Sequence, residues 1–275
     1  MSRALAIYHG PFGRATLYEI DRRMAVHVHR EGHLVFHIAG PPARTVVETR
    51  PCELSPGWAA AINPWQPHNF EPGGGPSSLF LVLYIQPAWF LELSRDARFA
   101  MRFGRSRIEA TPALSRLVHR VAALLLDDET GLFEGYLFEL ARECFDRSWQ
   151  WAPAPAPHEM LSCVRDFRLR NCIRLMRARL TEGAELDSIA REGGLSRPHF
   201  YKLFRQQLGI TPNLYLNTLR VEFAIERLTR SDEPVTAIGL DLGFSTQASF
   251  TRFFAANVGV PPTDYRRVAR IEAGG

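Results

Sequence analysis

The chain has 275 residues, 46% of them hydrophobic, with 33 Lys and Arg against 29 Asp and Glu for a net charge of +4. That length predicts two domains, each able to bury its own core, and the composition is that of an ordinary soluble globular chain. Residues 161–275 carry 17 Lys and Arg against 12 Asp and Glu, whereas residues 1–160 carry 16 against 17, so a polyanionic partner is expected only for the C-terminal part.

Four cysteines (Cys52, Cys144, Cys163, Cys172) show no paired C-x-x-C spacing, which speaks against a zinc knuckle or a redox motif and for buried free thiols in a reducing compartment. The N-terminus lacks the apolar run of a signal peptide, and the longest uncharged stretch has an apolar core of only Leu79–Ile85, too short to span a membrane. A cytoplasmic chain with no membrane partner is expected.

Residues 1–110 read as short strands: Ala15–Ile20, Met24–Arg30, His33–Ala39, Arg44–Thr49, Trp58–Asn63 and Leu79–Ile85. Gly32, Gly40-Pro41-Pro42, Ser55-Pro56-Gly57 and Pro72–Pro76 punctuate them. Such spacing predicts an antiparallel sandwich or small barrel, whose interior could hold one small ligand. His27 and His29 alternate onto one strand face, His33 and His37 follow at odd positions, and His68 comes after the turn Pro64-Trp65-Gln66-Pro67. This H-x-H with a later His resembles the cupin pattern, although Gln66 replaces the glycine of the second motif and the acidic partner, for which Glu31 is nearest, is not evident. His27, His29 and His68 are therefore the candidate effector-binding residues, with no metal or other cofactor assigned. The alternative is a metal-dependent cupin enzyme, with the C-terminal part as an accessory domain.

At residue 111 the period changes. Thr111 and Pro112 open a helix with Leu114, Leu117, Val118, Val121, Leu124 and Leu125 on one stripe, and a second helix presents Phe133, Leu137, Leu140, Ala141, Cys144 and Phe145. Residues 111–150 thus form a helical hairpin that packs on its own sheet or on a second copy, making a homodimer. Residues 151–160, rich in Ala-Pro, read as an extended linker. A basic helix over about 160–181 follows, with Val164, Phe167, Ile173, Leu175, Met176 and Leu180 expected to pack inward.

The segment 186–265 is one unit written twice. Ile189, Gly194, Phe200, Phe204, Gly209, Pro212 and Tyr215 recur as Ile238, Gly243, Phe250, Phe254, Gly259, Pro262 and Tyr265, at offsets of 49 and then 50 residues. Each copy reads as a short helix, a glycine turn and a second helix, opened by Ser196 in the first copy and by Ser245 or Thr246 in the second. That is the helix-turn-helix arrangement, whose second helix enters the major groove. A long helix from Pro212 to about Thr229 joins the copies. The run from Ile238 to Arg266 resembles the AraC-type (AraC/XylS) DNA-binding domain over residues 161–270, and residues 1–110 resemble, more loosely, the cupin-like sensor domain often joined to it.

The resemblance implies an α+β two-domain protein: a cupin-like antiparallel β-barrel with a helical hairpin, then an all-α domain with two helix-turn-helix motifs. It further implies a sequence-specific transcriptional regulator of double-stranded DNA, not an enzyme, controlled by a small-molecule effector. Base contacts map to Gln247, Ala248, Ser249 and Arg252, with Thr246 at the helix start, and in the first copy to Pro198, Tyr201 and Lys202. Arg197 and Arg205 are candidate phosphate contacts. Pro198 departs from the pattern because it has no side-chain hydrogen bond to offer, so sequence reading is expected chiefly from the second copy.

Overall fold

A computed structural model describes residues 2–94, 102–127, 130–149 and 164–271. Cys163 and the Ala-Pro stretch expected as a linker lie outside the described residues. The chain divides into two compact units, Met1–Pro155 with Ala255–Gly275, and Ala156–Phe254.

The first unit is built on β1 (Arg3–Gly10), β2 (Gly13–Ile20), β3 (Met24–His27), β4 (Gly32–Ala39), β5 (Ala43–Val47), β6 (Arg50–Leu54), β7 (Trp58–Ile62), β8 (His68–Phe70), β9 (Ser78–Ile85), α1 (Pro87–Ser94), β10 (Arg107–Glu109), α2 (Pro112–Asp127) and α3 (Thr130–Trp149). The second comprises α4 (Phe167–Ala178), α5 (Leu186–Glu192), α6 (Arg197–Leu208), α7 (Pro212–Arg230), α8 (Val235–Asp241) and most of α9 (Gln247–Val258). After it, α10 (Pro262–Val268) and β11 (Ala269–Ile271) return to the first unit.

The strands form two sheets, the sandwich of the two arrangements expected from the sequence, and do not close into a barrel. One has the order β10-β7-β4-β9-β2-β1-β11 and the other β3-β8-β5-β6. The expected strand Arg44–Thr49 stops short because Glu48 adopts a left-handed φ of 57°, which turns the chain straight back as β6. Likewise β3 ends at His27, so the expected extension to Arg30 does not form.

Alternation explains why the large sheet is buried on both faces. Along β9, Leu81, Leu83 and Ile85 join the core under the helices, whereas Phe80, Val82 and Tyr84 face the small sheet. On β4 the division is the same, with Leu34 and Phe36 under the helices and His33 and Val35 opposite. A strand covered on both sides needs apolar residues at every position, which accounts for the continuous run Leu79–Ile85. The helical side of this core takes Leu114, Val118 and Val121 from α2 and Phe133, Leu137 and Leu140 from α3. The apolar stripes of the hairpin are thus spent on its own sheet.

In the second unit the apolar period places Leu169, Cys172, Ile173 and Met176 of α4 in the core, and Asp166 caps this helix by accepting from the Arg168 N–H at 2.8 Å. Phe167, expected to pack inward, is instead 70% exposed. It is the first residue of α4, and the buried stripe begins only at Leu169.

Candidate nucleic-acid interface and ligand site

The two helix-turn-helix copies share one backbone design. In the first, Gly194 at φ 74° accompanies hydrogen bonds from Gly194 N to Arg191 O (3.0 Å) and from Leu195 N to Ala190 O (2.9 Å). In the second, Gly243 at φ 81° accompanies the same bonds, Gly243 N to Leu240 O and Phe244 N to Gly239 O, both 2.9 Å. Only glycine takes that left-handed turn without strain, so both copies carry one there. Beyond the turn, Phe200 and Phe204 of α6, and Phe250 and Phe254 of α9, are fully buried.

That burial fixes which residues look outward. On α6, Arg197, Pro198, Lys202 and Arg205 are exposed and Tyr201 is half-buried; at α9, Thr246, Gln247, Ala248 and Arg252 are exposed and Ser249 is half-buried. The expected cap of α6 is present only in backbone form, since Ser196 sits at the N-cap without a side-chain bond. At α9 the cap is Thr246: its hydroxyl accepts from the Ser249 N–H (3.1 Å), and the Ser249 hydroxyl accepts from the Thr246 N–H (3.3 Å). Ser249 is therefore tied into the helix start. Gln247 Oε1 accepts from the Thr236 hydroxyl (2.7 Å), and Arg197 pairs with Asp187 (3.0 Å). Such exposed pairs are worth at most about 1 kcal/mol, so they yield readily to a phosphate or a base. Lys202, Arg205 and Arg252 present exposed cationic side chains.

Within the first unit, the space between the two sheets is a cavity of about 30 Å³, lined among others by His27, His33, His68, Phe70, Phe80 and Tyr84. His27 and His68 are paired residues of the β3–β8 ladder, with rings 4.3 Å apart. His29 lies just beyond β3, 4.9 Å from His27 and 5.2 Å from His68. The left-handed Trp65 (φ 63°) donates its N–H to the His29 carbonyl at 2.6 Å, which ties the turn before His68 to the segment carrying His29.

His27 Nδ1 donates to Ala25 O (2.7 Å) and His68 Nδ1 to Gln66 O (2.9 Å). A carbonyl can only accept, so each of these rings carries its proton on Nδ1 and turns the Nε2 lone pair inward. Gln66 thus has a structural task where the cupin pattern has glycine; its side chain also accepts from Asn63 N at 3.0 Å. Burial pushes His27 down to about 4 and holds His29, His33 and His68 well below the usual imidazole value, so all four are neutral near pH 7.

The three expected effector residues are therefore brought together, and the ring nitrogens they offer lie within 4.8 Å of one another. His33 joins them at 5.0 Å from both His29 and His68, stacked on Tyr84 at 4.5 Å. Its odd position on β4, in phase with Val35, is the signal in the sequence that placed it there. His37 stays apart, bonded to Gly40 O at 3.0 Å, and Glu31 is not among the grouped ligand atoms.

Two family models match the chain: a helix-turn-helix domain over residues 189–268 and an AraC-like ligand binding domain over residues 12–141. The chain is an AraC-type transcriptional regulator. It is similar to the "Probable transcriptional regulator LumQ" of Photobacterium leiognathi, at 25% identity over 247 residues that cover 90% of this chain and 94% of that one. The regulatory protein PocR of Salmonella typhimurium is 32% identical over 113 residues, covering 41% of this chain and 35% of that protein. Among solved structures, ToxT of Vibrio cholerae O395 shares the fold, with a TM-score of 0.58, 13% identity and coverage of 92% of this chain and 96% of that one. Unsaturated-fatty-acid-bound ToxT of strain SCE256 does so with a TM-score of 0.57, at 14% identity and coverage of 92% and 94%. Both domains of an AraC-type regulator, sensor and DNA reader, are thus present in one chain. Among the described residues, no helix is long and apolar enough to cross a membrane.

Proposed function

We propose that this regulator reads double-stranded DNA through the outward faces of α6 and α9, and that its specificity resides mainly in α9. The observation that carries this reading is the contrast between two matched turns with unlike faces. Arg252 and Gln247 are exposed on α9, and these side chains hydrogen-bond guanine and adenine edges bidentately. Ala248 offers a methyl contact, while Thr246 and Ser249 hold the helix start and can reach a backbone phosphate. The corresponding face of α6 offers Pro198 and the half-buried Tyr201, with Lys202, Arg197 and Arg205 suited to phosphates. The first copy then holds register while the second reads sequence.

The effector occupies the space between the two sheets, in contact with His27, His29 and His68, and its binding shifts the population of DNA-competent chains. The protein acts in the cytoplasm as a homodimer and not as an enzyme. Residues 1–110 form the sensor, 111–150 the dimerising hairpin, 151–160 a spacer and 161–270 the DNA reader. Because the inner stripes of α2 and α3 are used by their own sheet, the dimer face falls on the outer side of the hairpin, where Leu126 and Leu132 are more than half exposed.

Selection of bound fragments from randomised DNA by the purified chain tests the reading. Recovery of a defined motif supports it, and recovery of unenriched sequence refutes it. Sedimentation at several concentrations tests the dimer, which fails if only monomer is found at the concentrations that bind DNA.

A further inference from the structure

We infer that His27, His29 and His68 form a binding site for a divalent first-row transition-metal ion, with Zn²⁺ the best fit, and that His33 completes it. The inference rests on the reading of these residues as the sensor's ligand site and names the ligand's chemical class.

Four observations carry it. First, Nε2 of His27, His29, His33 and His68 and also Nδ1 of His33 are buried without a hydrogen-bond partner. Buried polar atoms are nearly always paired, so four clustered imidazoles left unpartnered, three of which (His27, His33 and His68) line one cavity, point to a ligand that they hold. Second, the outer nitrogens of His27 and His68 are bonded to backbone carbonyls, which fixes ring orientation and tautomer as the outer shell of a metal site does. Third, the separation is nearly right. The three ligand atoms lie within 4.8 Å of one another, and a tetrahedral zinc site needs about 3.4 Å, so ring movements of about 1 Å close it. Fourth, the cavity of about 30 Å³ suits an ion with one or two waters better than a drug-sized organic molecule.

Neutral imidazoles select Zn²⁺, Cu²⁺, Ni²⁺ or Fe²⁺ over the hard cations Mg²⁺ and Ca²⁺, which require oxygen. Three nitrogens would leave one tetrahedral position for water, and the unpartnered nitrogens of His33, whose ring lies 5.0 Å from those of His29 and His68, would be available to hydrogen-bond it. The buried Arg14 guanidinium, 3.7 Å over the Tyr84 ring, opposes a dication in the cavity. Release of a proton to solvent from a metal-bound water would lower the charge of the site by one and reduce that repulsion.

The test uses the tag-free full-length chain, loaded with Zn²⁺ or Co²⁺ and desalted. The expected result is one retained metal equivalent per chain, a higher Tm, and for Co²⁺ the strong visible bands of a four-coordinate ion. His27→Ala, His68→Ala and the less disruptive His68→Gln should lose the retained equivalent and bind metal more than about 10-fold more weakly. His33→Ala should keep the stoichiometry with affinity lowered by about 10–100-fold. His119→Ala, at an exposed helix position, should match the wild type. The inference is overturned if the wild-type chain retains no metal, or if ligand variants that remain folded by circular dichroism retain as much as it does. Should the variants fail to fold, the wild-type cobalt spectrum decides, and a spectrum of fully hydrated ion overturns the site. DNA binding is read on the same samples. Selective DNA binding without metal retention rejects the metal site alone, whereas retained metal without DNA binding rejects the regulator reading and supports the site.

Discussion

His27 and His68 face each other across the β3–β8 ladder with ring centroids 4.3 Å apart, and the Nε2 of each is buried without a partner. Two neutral imidazoles so placed gain little from one another and have given up their water. Together with His29 and His33 they form a cluster of buried, unpartnered nitrogens beside an otherwise apolar cavity, held at the expense of stability.

If so, removing one orphan polar atom should stabilise the ligand-free chain. His29→Leu keeps the backbone bond from Trp65 and replaces the ring with an apolar side chain of similar size. The midpoint of urea unfolding should rise, by about 1 kcal/mol of stability, while the response to the effector is lost. A variant that is less stable than the wild type and still responds to effector would contradict this view of the cavity.

Arg252→Ala should change the pattern of DNA recognition and not only its strength. The expected loss is about 1–3 kcal/mol, confined to one base-pair position of the selected motif. Binding measured against every single-base variant of that motif checks it. A uniform loss across all variants would make Arg252 a phosphate contact.

Gly239 is required by packing, since a Cβ there would stand 2.9 Å from the Phe250 Cβ. Gly243 is required by its backbone, at φ 81°. Gly239→Ala should cost about 1–3 kcal/mol through overpacking and Gly243→Ala about 1–2 kcal/mol through strain. Denaturant unfolding of the full chain measures both, and unchanged midpoints would mean that the second turn is less constrained than its geometry implies.

Glu71, which follows β8, accepts hydrogen bonds from Arg44 and then Arg23, and these hold its carboxyl at about 2, well below the usual carboxylate value. The folded state thus binds the proton more weakly than the unfolded one. Its contribution is complete above about pH 4.5 and is lost as the pH falls toward 2. Part of the fall in Tm over that range should disappear in Glu71→Gln, and an identical acid profile in the variant would show that the pairs contribute nothing.

The C-terminal half was legible because its repeat constrains many positions at once: buried phenylalanines, turn glycines and helix starts recur in register. The sensor was less so. Its central strands were evident from apolar runs, but β1, β6, β8, β10 and β11 were not: β6 depends on the left-handed Glu48, and β8, β10 and β11 are three residues long. The sandwich-or-barrel choice depends on hydrogen bonds between distant strands, which local composition does not encode. Sequence spacing singled out three of the clustered histidines, although His29 lies beyond the end of β3, so alternation along one strand is not what brings it beside His27. His33 carried a signal in its odd position on β4, but its place beside the other three rings depends on the pairing of β4 with β9, which stacks it on Tyr84, 51 residues away in sequence. Phe167 shows the opposite failure: its type suggests burial, but its place at the start of α4 leaves it outside.

The most direct test of the central claim is competition binding of the purified chain to its selected DNA motif and to a scrambled fragment of equal length, over a series of salt concentrations. Affinity for both should fall with salt as phosphate contacts are screened, and at physiological salt the motif should bind at least about 10³-fold more tightly. Equal affinity for the two fragments at every salt concentration would contradict the reading of α9 as a sequence-specific recognition helix.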